Sequence, residues 1–139
     1  MNHQLFVYGT LRKGRRNRQF HQLFCKETFI GWASVPGQLI QLKDYPGLVL
    51  SNQQGAIVYG ELYVLNNPVV TLAKLDAYEG CGPQDLKPYE FQRVERDVVL
   101  DSGRKCRAWV YVYSGPIFGK RKIRSGDYLK DTLSCQLKR

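Results

Sequence analysis

The sequence predicts an α+β fold: a closed or nearly closed β-sheet with side chains packed inside it and a few short helices outside. Three observations carry that expectation. β-forming segments outnumber helical ones along the 139 residues. The segment KCRAWVYVY at 105–113 is apolar or aromatic on both faces, and a strand covered on both faces needs a packed layer on each side. Only NPVVTLAKLDAYEG at 67–80 has both a helical start and a helical stop.

The elements follow in chain order. Residues 4–8, QLFVY, read as an apolar strand that empties within a few positions into GTLRKG. A short helix is expected from about Asn17 to Cys25, where Phe20, Leu23 and Phe24 share a face. TFIGWAS at 28–34, GQLIQL at 37–42 and IVYGELYVL at 57–65 are β-rich runs set between glycine and proline punctuation. In the helix at 67–80, Asn67 is the N-cap, Pro68 takes the first helical position, and Val69, Leu72, Ala73 and Leu75 recur at helical spacing before Gly80 ends it. FQRVERDVVL, the turn DSGR and KCRAWVYVY form the clearest hairpin. In its second arm Cys106, Ala108, Val110 and Val112 fall on one face, and Trp109, Tyr111 and Tyr113 on the other.

A chain of this length fits one domain, 1–139, with one core. Hydrophobic residues at 43% and charged residues at 24% are the balance of a soluble globular protein rather than a disordered one. No apolar run approaches the roughly 20 residues of a membrane helix. The start Met-Asn-His-Gln lacks the basic and apolar regions of a secretory signal, so a cytoplasmic setting is the default expectation. Cys25, Cys81, Cys106 and Cys135 are spread singly, without a metal-like spacing, and read as reduced thiols filling the core. The formal charge of +9 is uneven: six basic residues and no acid at 1–26, ten bases against two acids at 104–139, and five against ten between. Such ends attract small anions or nucleic acid, and charge alone does not choose.

Two stretches carry candidate chemistry. Where a strand enters a turn of small residues, successive backbone N–H groups can converge into a nest for a carboxylate or phosphate, and Gly9 lets a ligand approach the backbone closely. An ordinary basic loop is the competing reading. In LDAYEG at 75–80, Glu79 falls at the expected helix C-terminus, where the macrodipole disfavours a carboxylate and raises its pKa toward that of a neutral-pH general base. The competing reading is a solvated glutamate at a helix end.

VYGTLRKG, LDAYEG, FQRVERDVV, WVYVY and the closing SGDY at 125–128 occur in this order over nearly the whole chain. Together they resemble the gamma-glutamylcyclotransferase-like family, particularly its small gamma-glutamylamine cyclotransferase branch. The resemblance implies a small mixed β-barrel with flanking short helices, no metal or organic cofactor, and a small-molecule gamma-glutamyl substrate. It implies release of 5-oxoproline from a gamma-glutamyl amide, the substrate's α-amine attacking its own γ-carbonyl and expelling an amine. By position it implies a substrate loop at Tyr8, Gly9, Thr10 and Leu11, a catalytic Glu79, a secondary pocket tyrosine at Tyr113, and a bordering loop at Tyr45 and Pro46. Two features depart from the family pattern: the stretch at 80–90 is long, and Phe91 stands where a tyrosine is common. A non-catalytic module binding an amino-acid-like anion, and a nucleic-acid binder using the basic ends, are the alternatives from other classes.

Overall fold

The computed structural model describes residues 1–9, 27–43, 45–50 and 55–130. The helix expected at 17–25, Thr10, Leu11, the basic run at 12–18, Cys25 and Cys135 lie outside the described residues.

Chain order runs β1 (Gln4–Val7), β2 (Thr28–Pro36), β3 (Gln38–Gln41), β4 (Pro46–Val49), β5 (Ile57–Val64), α1 (Pro68–Tyr78), β6 (Phe91–Leu100), β7 (Lys105–Tyr113) and β8 (Arg121–Lys122). Five strands close a barrel in the order β1-β5-β2-β6-β7, and β4-β3-β8 form a second, smaller sheet. The barrel is mixed. Its neighbours pair antiparallel, except where β1 meets β7 in parallel at Leu5 and Trp109.

Period-two alternation builds two cores from the same strands. Phe6, Ala33, Val35, Val58, Leu62, Val98, Ala108, Val110 and Val112 pack together with Tyr8. The intervening residues Leu5, Val7, Tyr63 and Tyr111 pack instead with Leu72 and Leu75 of α1. The two-sided pattern of 105–113 thus has its predicted cause: Ala108, Val110 and Val112 turn to the interior, while Trp109, Tyr111 and Tyr113 join the cluster under the helix. Gly60 keeps the β1–β5 contact close. A Cβ there would overlap the Val7 carbonyl oxygen and stand 2.8 Å from the Phe6 ring.

The sequence pattern did not mark β4 or β8. β4 begins with a proline and contains a glycine, and it is a strand because β3 pairs with it from Gln38–Val49 to Gln41–Pro46. Leu39 and Leu48 of this sheet join the barrel's interior cluster. The helix is bounded as expected: Asn67 Oδ1 accepts from the Val70 N–H at 3.4 Å, and Pro68 opens the helix. Cys81 and Cys106 are free thiols, packed beside the outer and inner clusters respectively. No helix among the described residues is long and apolar enough to cross a membrane.

Candidate active site

The end of α1 aims Glu79. Glu79 caps the helix, Gly80 follows with φ +75°, and the N–H groups of Gly80 and Cys81 bond the carbonyls of Ala77 (3.3 Å) and Asp76 (2.9 Å). This pair of bonds is a Schellman closure, which requires a left-handed residue one place after the cap. Gly80→Ala is therefore expected to cost about 1 kcal/mol, read as a lowered Tm, and to lower turnover with it because Glu79 is the adjoining residue.

β1 delivers the facing wall. Tyr8 and Gly9 leave the strand end buried, and Pro46 at the start of β4 crosses them so closely that a Cβ on Gly9 would stand 2.7 Å from Pro46 Cγ. The Tyr8 hydroxyl is committed to the fold: it donates to the Tyr111 carbonyl and accepts from the Leu48 N–H at 3.2 Å, joining β1, β4 and β7. Burial, then the charge of Glu79, holds this phenol protonated far above its ordinary range. Tyr8→Phe should leave the Leu48 and Tyr111 backbone groups unpaired and cost about 2 kcal/mol, measured as a lower denaturation midpoint.

These pieces line a cavity of about 230 Å³, bounded by Phe6, Val7, Tyr8 and Gly9, by Tyr45 and Pro46, by Tyr78, Glu79 and Gly80, and by Glu90, Phe91 and Tyr111. Two segments about seventy positions apart thus share one pocket. The Tyr45–Pro46 loop borders it as the resemblance implies. Tyr113 does not line it; its hydroxyl donates to the Pro116 carbonyl at 2.9 Å and its ring stacks edgewise on Phe91. Of the two tyrosines on that face of β7, Tyr111 reaches the cavity. Phe91, where a tyrosine is common, is buried and supplies an apolar wall.

Glu79 is half-buried, and its carboxyl has no hydrogen-bond partner among the described residues. Its pKa is pushed up to about 7, first by burial and then by the Glu90 and Asp76 carboxylates. The direction matches the expectation from the helix end and from the apolar neighbours Tyr78 and Cys81, and desolvation is the leading cause. Such a group exchanges protons readily near neutrality. The Cys81 thiol is pushed the other way from reactivity, up to about 11, chiefly by burial.

Behind the cavity lies a polar cluster that no motif announced. Asp76, one turn before Glu79, accepts from Arg93 Nε (2.8 Å), Arg93 Nη2 (3.1 Å) and the Tyr111 hydroxyl (2.7 Å). The Arg93 guanidinium also covers the Trp109 ring at 4.2 Å. The cluster ties the last turn of α1 to β6 and β7. Glu90, also without a motif, accepts from the Tyr45 hydroxyl at 2.7 Å on the cavity wall. Among the described residues, no group of three or more potential metal-ligating side chains is present.

Comparison with known proteins supplies an independent placement. Residues 5–130 match the family described as gamma-glutamyl cyclotransferase, AIG2-like. The gamma-L-glutamyl-butirosin B gamma-glutamyl cyclotransferase of Niallia circulans is 39% identical over 113 residues, covering 79% of this chain and 66% of that one. The gamma-glutamylcyclotransferase family protein YtfP of Escherichia coli (strain K12) is 34% identical over 127 residues, 91% of this chain and 96% of that one. A solution structure of ytfP from Escherichia coli superposes with a TM-score of 0.63 at 32% identity, over 93% of this chain and 98% of that one. The crystal structure of YkqA from Bacillus subtilis gives a TM-score of 0.74 at 27% identity over 98% of this chain, which spans 43% of YkqA. With the barrel, the order of its motifs and these matches in agreement, the chain belongs to the gamma-glutamyl cyclotransferase, AIG2-like family.

Proposed function

We propose that the chain releases 5-oxoproline from a gamma-glutamyl amide, an amide-cleaving cyclisation of the acyl-transfer type, with Glu79 as general base and then general acid. The observation that carries this reading is the position of one carboxyl group: half-buried, poised near neutrality, and on the wall of the cavity that Gly9 also lines. The names of the relatives supply the gamma-glutamyl substrate class.

The chemistry then follows from what cyclisation requires. The substrate's α-ammonium is not a nucleophile, so Glu79 takes a proton from it. The freed amine forms a bond to the γ-carbonyl carbon, the amide C–N bond breaks, and Glu79 returns its proton to the departing nitrogen; the ring nitrogen then sheds a second proton by the same route, so the lactam keeps one N–H and the amine leaves as an ammonium. Because attacker and target belong to one molecule, the cavity need only hold the chain folded, a source of large effective molarity. Its 230 Å³ lies below the roughly 300–1,000 Å³ of typical small-molecule sites, which suits one amino-acid-sized group with the leaving arm outside. The substrate's carboxylate is assigned to the backbone N–H groups of the loop Tyr8, Gly9, Thr10 and Leu11. Tyr111 replaces Tyr113 as the pocket tyrosine in this reading.

The test is incubation with a panel of gamma-glutamyl amides while 5-oxoproline is followed. Product formation is the expected result. Saturable ligand binding without product from any member would replace the enzyme by a binding module.

A further inference from the structure

We infer that Glu90 selects the leaving group, favouring gamma-glutamyl amides whose departing amine carries a second positive charge at its far end. The inference rests on the cyclotransferase reading and concerns only which amide the same cavity accepts.

Among the described residues, charge on the cavity wall is one-sided. Of the twelve described residues lining it, the two with acidic side chains are Glu79 and Glu90, and none is a lysine, arginine or histidine. Glu79 is occupied with the proton of the α-amine. Glu90 is left over: neither the carboxylate cradle nor the proton transfer uses it. It is exposed, whereas Glu79 is half-buried, so it stands toward the mouth, where the leaving arm must emerge.

Glu90 is also held in place. Its carbonyl accepts from the Ser114 N–H (2.8 Å) and Oγ (3.2 Å), which anchors the backbone to the end of β7. Its carboxylate accepts from the Tyr45 hydroxyl, whose own pKa is pushed up to about 12, by burial and then by Glu90, so that it stays a donor. One hydrogen bond leaves most of a carboxylate's acceptor capacity open. No lysine or arginine among the described residues pairs with it: Arg93 is engaged with Asp76, Arg107 lies beside Glu95 and Asp97, and Lys87 sits over the Tyr89 ring. An oriented anion with no countercation among the described residues at the exit attracts an ammonium group and repels a carboxylate. The long stretch at 80–90 ends on this residue, which gives that departure from the family pattern a use.

The experiment takes three gamma-glutamyl amides with the same four-carbon arm, derived from 1-aminopentane, 1,4-diaminobutane and 5-aminopentanoate, so that the arm ends in a methyl, an ammonium or a carboxylate. We expect kcat/KM for the ammonium arm to exceed that for the methyl arm about fivefold, with the carboxylate arm slowest. Glu90→Gln should bring the ammonium-to-methyl ratio close to one, and Glu90→Lys should invert the order of the charged arms. Any effect of these substitutions on the basicity of Glu79 is common to all three substrates, so the ratio isolates the leaving group. Added salt should shrink the wild-type ratio. Turnover of all three arms at equal rates, a preference for the carboxylate arm, or a ratio unchanged in Glu90→Gln overturns this inference and leaves the cyclotransferase reading standing. Absence of 5-oxoproline from all three, and from the wider panel, overturns that reading and this inference with it.

Discussion

Glu79→Gln is expected to cut 5-oxoproline release by about 10²–10⁴-fold, the usual contribution of a positioned acid–base group, while making the protein more stable above pH 7. The two effects share one cause. A carboxyl with an ordinary value of 4.5 that titrates at about 7 in the fold binds its proton more tightly folded than unfolded. As pH rises from about 4.5 to 7 the unfolded chain loses that proton first, so stability falls through this window and the penalty is complete above it. With the shift discounted for partial exposure, the penalty is about 2 kcal/mol. Glutamine keeps the shape and removes the charge, so the variant should match the parent near pH 4 and exceed it at pH 8 in denaturant titrations. In the parent, kcat/KM should climb along an acid limb centred near pH 7, as Glu79 becomes able to accept a proton. Retained turnover in the variant would remove Glu79 from its assigned role, whatever the stability curve did.

Asp76→Ala should be the most damaging single truncation of a polar side chain, costing about 3 kcal/mol. It strips two hydrogen bonds from Arg93, one from Tyr111 and a longer one from Cys81 Sγ, and leaves a largely buried guanidinium and the Tyr111 hydroxyl facing each other without an acceptor. Burial alone would lower the pKa of Arg93, and Asp76 more than offsets that, so the arginine remains charged and unpaired in the variant. Asp76→Asn should be milder, because an amide oxygen can still accept from Tyr111. Both changes also remove a negative neighbour of Glu79, so the acid limb of kcat/KM should move to lower pH. A full-length protein with unchanged Tm and an unmoved acid limb would show that the cluster neither braces the helix end nor tunes the base.

Much of this was legible in the residues. The two-sided alternation at 105–113 foretold a barrel with a helix outside, because each face of that strand meets a different core. Asn67, Pro68 and Gly80 bounded α1 because capping chemistry is local. What stayed hidden depends on contacts distant in sequence. β4 is held by β3 across a short loop despite its proline and glycine. Asp76 and Arg93 look like surface charges until the helix end meets β6. Tyr111 and Tyr113 share a face, and a step of roughly 6–7 Å along the strand decides which of them meets the cavity. Glu90 belongs to no motif, and its place on the wall follows from bonds to Tyr45 and Ser114.

The two ends of the 80–90 stretch are fastened separately, Gly80 to the carbonyls of α1 and Glu90 to Ser114 beyond β7. Cys81 belongs to the first fastening and Tyr89 to the second, so the residues between those two are the interchangeable cassette: a segment of another length or sign spliced in there would leave both fastenings in place. Divergence of substrate choice within such proteins can proceed there, at the rim, while the chemistry beneath is inherited unaltered.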